Sequence, residues 1–148
     1  MKVLCTTLLF ALMIATAAAQ SSQFGFKKDH DALLVEDLDA SAKFYRSVLG
    51  LEEIQNAGLP DDIRWFQLDN GVQLHLIESK EIPSTPKGLH MSLSTDKLSE
   101  FMEFLRSQNI SFENWPGELN TTNTRPDGVL QIYLQDPDGY WIEINDNK

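Results

Sequence analysis

Cysteine is almost absent. Of 148 residues only Cys5 is one, so neither a disulfide framework nor a cysteine-rich zinc ribbon can be built. There is no glycine-rich nucleotide loop and no serine in a G-x-S-x-G elbow, which sets aside phosphate-cradling and serine-hydrolase designs. Positive charge is in the minority: 12 Lys and Arg stand against 22 Asp and Glu, a net charge of −10 with a pI near 4.6. Such a surface repels phosphate backbones and anionic lipid, so neither nucleic acid nor a membrane surface is expected as a partner. What remains is a globular composition, 42% hydrophobic and 23% charged, at a length that suits one domain.

The chain begins apolar. Residues 1–19 carry Lys2, then an apolar run from Leu8 to Ala15, then Ala17-Ala18-Ala19. This order predicts a cleaved secretory signal peptide, a mature chain starting near Gln20, and export to a periplasm or to the outside. The run is shorter than the roughly 20 residues that span a bilayer, so no membrane anchor is expected after cleavage. Cys5 precedes the run instead of following it, which argues against a lipoprotein. Cleavage leaves a cysteine-free chain with 11 positive and 22 negative side chains.

Residues 20–148 read as a single domain of two similar modules, about 26–82 and 86–147. In the first, His30–Val35 has strand character, and Asp37 or Asp39 offers an N-cap for a helix over Ala40–Leu49 with Gly50 at C′. Phe44, Val48 and Leu51 follow the spacing of its buried face. Strands are expected over 51–55, 63–68 and 72–78, the last two joined by Asn70-Gly71. The same order then returns. A strand over 89–94 leads to a helix from Lys97 to Gln108, capped by Thr95 or Asp96, with Leu98, Phe101, Met102 and Leu105 inward. Strands follow over 110–113, 129–135 and 140–145, the last pair flanking the turn Asp136-Pro137-Asp138-Gly139. His30 and His90 sit on corresponding strands, 60 residues apart. The pattern βαβββ, written twice, predicts an α+β fold by internal duplication. Ile82–Gly88 is the linker, and Trp115–Gly128 is a polar loop.

Chemistry concentrates on the three histidines, His30, His75 and His90. Alternation along each strand separates the histidines from apolar neighbours such as Leu33 and Val35, Leu74 and Leu76, or Met91 and Leu93. Glu143 is likewise set apart from Ile142 and Ile144. The apolar faces would pack on helices, leaving His30, His75, His90 and Glu143 toward one cavity. Imidazoles plus a carboxylate suit a divalent transition metal, whether Zn, Ni, Fe or Mn. Bonds of that kind require the ligating atoms to lie within about 5 Å of one another. Tyr133 and Trp141 share the cavity parity and Arg125 lies in the adjoining loop, so these three are expected to contact substrate. Asn109-Ile110-Ser111 and Asn120-Thr121-Thr122 match a glycosylation acceptor pattern, which matters only in a eukaryotic source.

The segments HDALLVEDLDASAKFYRSVLGLE from His30, GVQLHLIE from Gly71, GLHMSLS from Gly88 and QIYLQDPDGYWIEIND from Gln131 resemble the vicinal oxygen chelate superfamily. Within it they look most like glyoxalase I and the glyoxalase/bleomycin-resistance/dioxygenase proteins. The resemblance implies two βαβββ modules forming a curved mixed sheet around a metal-binding cavity. It implies His30, His90 and Glu143 as ligands, and it places His75 where glyoxalase I carries a glutamate. It also implies a small-molecule substrate, and it leaves room for a homodimer. Glyoxalase I isomerises a hemithioacetal by moving a proton between adjacent carbons while a metal holds the enediolate oxygens, which makes Glu143 the expected base.

Other readings follow from the same resemblance. Extradiol dioxygenases hold iron with two histidines and a glutamate, matching His30, His90 and Glu143. Relatives that confer fosfomycin resistance add a basic cluster, for which only Arg64 and Arg125 are candidates. Bleomycin-binding relatives use the fold as a non-enzymatic cleft. A glyoxalase-type lyase is the leading expectation, with one tension: glutathione is a cytosolic thiol, and the leader predicts export.

Overall fold

The computed structural model describes residues 23–69 and 71–148. The predicted leader with Cys5, its cleavage point before Gln20 and the turn residue Asn70 lie outside them. In the first module, β1 (His30–Val35) leads into α1 (Leu38–Ser47), followed by β2 (Glu52–Ile54), β3 (Ile63–Asp69) and β4 (Val72–Glu78). The second runs β5 (His90–Ser94), α2 (Leu98–Ser107), β6 (Asn123–Thr124), β7 (Leu130–Gln135) and β8 (Trp141–Asn145). Each set of strands makes its own four-stranded mixed sheet, ordered β1-β4-β3-β2 and β5-β8-β7-β6. The first strand of each module pairs in parallel with the last, and the other pairs are antiparallel. This is the expected α+β duplication.

Alternation decides which side of each sheet meets a helix. Val35, Phe66, Leu74 and Leu76 are buried in the first module with Leu38, Ala42 and Tyr45 of α1. Ile132, Leu134, Ile142 and Ile144 are buried in the second with Leu98 and Leu105 of α2. Asp37 caps α1, accepting a hydrogen bond from the Ala40 amide at 2.9 Å. Gly50 follows the helix in the left-handed region at φ +69°, where a side chain would be strained. Neither Thr95 nor Asp96 caps α2: its N-cap position is Lys97, without a side-chain acceptor. Thr95 Oγ1 accepts from the Lys97 amide instead, two residues before the N-cap position. On α1 the fully buried aromatic is Tyr45, while Phe44 and Val48 are only partly buried against the core.

The expected strand over 110–113 is reduced to one residue. Glu113 alone bridges to Tyr133 and to Leu119. Its extension is stopped by a tight turn in which Asn114 Oδ1 accepts from the amides of Gly117 and Glu118. The edge of that sheet is completed by β6, inside the segment expected to be loop.

The modules are tied through the β7–β8 turn. Tyr45 donates its hydroxyl to Asp136 Oδ2 at 2.8 Å in a buried contact. Asp138 accepts from Ser41 Oγ at 2.6 Å and from the Glu36 amide at 2.7 Å. Burial raises the Asp136 pKa, and it raises the Tyr45 phenol together with the nearby carboxylate charge. Gly139 closes this turn at φ +85°.

Candidate functional site

Register places the four expected ligands in two equivalent pairs. On β1 and β4, Ala32 lies opposite His75, two residues beyond His30. On β5 and β8, Ser92 lies opposite Glu143, two residues beyond His90. Across the antiparallel neighbour, His75 faces Trp65 and Glu143 faces Tyr133. Strand parity therefore does bring partners together: the His30 and His75 rings stack at 4.3 Å and 11°, and His90 Nε2 lies 3.2 Å from Glu143 Oε2.

In the second pair the carboxylate is buried and surrounded by donors. Glu143 Oε2 accepts from the Tyr133 hydroxyl at 2.7 Å. Oε1 accepts from Asn145 Nδ2 at 2.6 Å, Ser92 Oγ at 3.2 Å and Arg125 Nη1 at 3.3 Å. Burial alone would raise its pKa, but the hydrogen bonds from Tyr133, Asn145 and Ser92, with the His90 charge, bring it below the ordinary value. Burial and the same carboxylate push the Tyr133 phenol up. Arg125 is shared with Asp127, at 2.5 Å. Trp141 is paired with His90 across β5 and β8. All three expected substrate contacts are thus grouped around His90 and Glu143.

The first pair has few polar partners. His75 lies between His30 and Trp65, whose ring stacks on it at 4.2 Å and 4°. Its Nε2 bonds to Gln73 Oε1 at 2.8 Å, and His30 Nδ1 bonds to Asp29 Oδ2 at 2.6 Å. Burial and the neighbouring His30 lower the His75 pKa. The Trp65 Nε1 is buried without a hydrogen-bond partner.

The single four-ligand cluster is not formed within one chain. Among the described residues, no group of three or more His, Cys, Asp or Glu is placed to hold a metal ion. The requirement of about 5 Å among all four ligands is therefore unmet. The reason lies in topology: β1 and β5 are edge strands of separate sheets, so each pair belongs to its own sheet. A cleft of about 1050 Å³ does lie between the modules, but it is lined mainly by helix-side residues such as Leu33, Leu49, Met91, Leu93 and Phe101. His90 and Ser92 reach it, whereas His30, His75 and Glu143 do not. Arg64 is also removed from any anion site, being paired with Glu53 and Asp39.

In kind, the donors fit a divalent metal. The Lys87 carbonyl can only accept, so His90 Nδ1 donates to it at 2.8 Å. His90 Nε2 then faces the Glu143 carboxylate, an arrangement satisfied by a second proton on the ring or by a cation shared between the two groups. Sequence reasoning missed Ser92 and Asn145 as partners of Glu143, although alternation puts Ser92 on the face of His90 and Asn145 on the face of Glu143. Lys87 had no such signal.

The model of the Glyoxalase/Bleomycin resistance protein/Dioxygenase superfamily matches residues 27–144. A protein of Bacillus subtilis, uncharacterized protein YwbC, is 29% identical over 78% of this chain and 94% of its own length. A lactoylglutathione lyase of Haemophilus influenzae is 28% identical over 80% of this chain and 91% of its own. The crystal structure of a lactoylglutathione lyase from Agrobacterium tumefaciens shares the fold, with a TM-score of 0.61 and 24% identity over 80% of this chain and 91% of that one.

Proposed function

Because the chain belongs to the Glyoxalase/Bleomycin resistance protein/Dioxygenase superfamily, we propose that it is a metal-dependent lyase or isomerase of the glyoxalase kind. Its substrate would be a small carbonyl-derived compound. The observation that carries the reading is the His90–Glu143 pair, with Nε2 facing Oε2 at 3.2 Å and Nδ1 already committed to a carbonyl. His30 and His75 supply the matching pair on the other sheet, so His30, His75, His90 and Glu143 are the residues that would hold the ion. Since one chain presents them as two separate pairs, the reading includes a homodimer in which the pairs of two copies meet. A bound divalent ion would polarise the oxygens of the substrate.

Glu143 takes a proton from one carbon and returns it to the neighbouring carbon. Its pKa lies below the ordinary carboxylate value, so the group is ionised at neutral pH. Tyr133, Asn145 and Ser92 hold the carboxylate in place while it does so. Arg125 and Trp141 line the approach. The leader carries a second proposal, export with a mature start near Gln20, which intact-mass measurement of natively expressed protein decides. In that compartment the thiol partner would differ from cytosolic glutathione.

The main test strips the purified protein and reloads it separately with Zn, Ni, Fe and Mn. Hemithioacetal isomerisation by a loaded form supports the reading. Oxygen consumption with a catechol by the iron form alone would replace it with a dioxygenase. Metal-free ligand binding without turnover would make the protein a binding module. Mixing His30→Ala and Glu143→Gln subunits tests the shared site: a mixed dimer regains one intact pair of pairs, and activity returns.

A further inference from the structure

Lys87 lies next to the end of the linker between the modules, and its ammonium is largely enclosed. Nζ donates to Glu113 Oε1 at 2.6 Å, to the Asn114 carbonyl at 2.6 Å and to the Trp115 carbonyl at 3.1 Å. It also lies 4.8 Å from the ring centroid of Tyr133, 4.9 Å from that of Trp141 and 5.9 Å from that of Trp115. Only 17% of the side chain is exposed. An ammonium has three donors, and here all three are used while ring faces cover the cation. A lysine of this kind is unusual in a linker, where long cationic side chains normally extend into water.

The main chain of the same residue holds His90. Its carbonyl accepts from His90 Nδ1, and the Leu89 amide closes a turn onto the Pro86 carbonyl. The cage walls are also the neighbours of the site: Tyr133 bonds Glu143 and meets the His90 ring edge-on at 5.3 Å. The caged ammonium and the carbonyl that meets His90 Nδ1 thus belong to one residue, with Glu143 on the other side of the imidazole.

We propose that Lys87 is a positioning residue for His90: its caged ammonium fixes the linker so that the Lys87 carbonyl holds His90 in the Nδ1–H tautomer with Nε2 directed at Glu143. Its consequence for metal binding rests on the reading of His90 and Glu143 as a half-site; the tautomer does not. Lys87→Met keeps most of the stem and removes the charge. Lys87→Ala empties the cage, leaving a space that matches n-propylammonium.

The imidazole nitrogens of the metal-free protein are read by ¹⁵N NMR, and Zn²⁺ affinity is read by titration. The Nδ1–H signature of His90 should be present in the wild type and lost or mixed in Lys87→Met. Zn²⁺ affinity should fall by about 10- to 100-fold, the usual effect of losing a partner behind a ligand. In Lys87→Ala both readouts should recover with n-propylammonium and not with n-propanol. An unchanged His90 signature in Lys87→Met overturns the proposal, as does an alanine variant that n-propylammonium leaves unaltered. If wild type binds no Zn²⁺, the metal reading fails while the tautomer measurement still decides the role of Lys87.

Discussion

The two modules place the same positions in the same register and then surround them differently. Glu143 has donors at three neighbouring positions: Tyr133 across β7, Ser92 across β5 and Asn145 two residues along β8. The equivalents around His75 are Trp65, Ala32 and Ile77, none of which donates to it. A buried carboxylate without donors is costly, whereas an imidazole between two flat rings is satisfied by stacking and one amide. The replacement of glutamate by His75 is thus part of a change in the whole shell. Exposure follows the same division, with 43% of the His30 side chain open to solvent against 6% for Glu143.

The largest effect expected from this contrast is on turnover. Glu143→Gln should lower kcat by about 10²- to 10⁴-fold, the usual contribution of a positioned base. His75→Gln should act mainly on metal affinity. Equal kcat losses in the two variants, measured with saturating metal, would erase the functional asymmetry.

Rebuilding the first module on the pattern of the second is the next test. His75→Glu alone introduces a carboxylate without donors, so denaturant unfolding should show a loss of about 1–3 kcal/mol. Adding Ala32→Ser and Ile77→Asn supplies the missing donors. The triple variant should recover most of that loss and should show more hemithioacetal isomerisation than the single one. If His75→Glu is as stable as wild type, the shell does not explain the substitution.

Where the modules meet, Tyr45→Phe removes the side-chain donor to Asp136 but leaves the amides of Asp138 and Tyr140 on its other oxygen. Stability should fall by about 1 kcal/mol, the usual net worth of one hydrogen bond whose acceptor keeps other partners. Ser41→Ala, at the more accessible contact with Asp138, should cost less in the same measurement.

Acidification of the metal-free protein gives the smallest separation. The folded-state pKa of His75 is lowered, so the unfolded chain binds that proton more readily. Its stabilising contribution is present above about pH 6.5, the ordinary histidine value, and is lost as pH falls through the folded value. Glu143 is also lowered, so its contribution is present above about pH 4.3 and is lost in more acidic solution. Unfolding curves across pH should flatten at mildly acidic pH in His75→Gln and only at lower pH in Glu143→Gln.

Patterning alone determined the duplicated βαβββ order, a first helix capped by Asp37 or Asp39, the turn at Asp136–Gly139 and the alternation that sets each ligand candidate apart from its apolar neighbours. These are local properties: alternation has a period of two, capping spans three residues, and a turn spans four. Parity set all four candidates toward one cavity; that they stand as two pairs, His30 with His75 and His90 with Glu143, follows from the β1–β4 and β5–β8 registers. The shortened strand at Glu113 was not legible, because its end depends on the Asn114 turn and on what Tyr133 leaves free to pair. Nor could the pattern say whether the two pairs meet, since that depends on how two separate sheets are set against each other. Only the tertiary structure decided that β1 and β5 are edges of different sheets. It alone brought Tyr45 to Asp136 and Lys87 to Glu113, contacts between residues 91 and 26 positions apart. No local period encodes such distances; they follow from how the whole chain packs its apolar surfaces out of water.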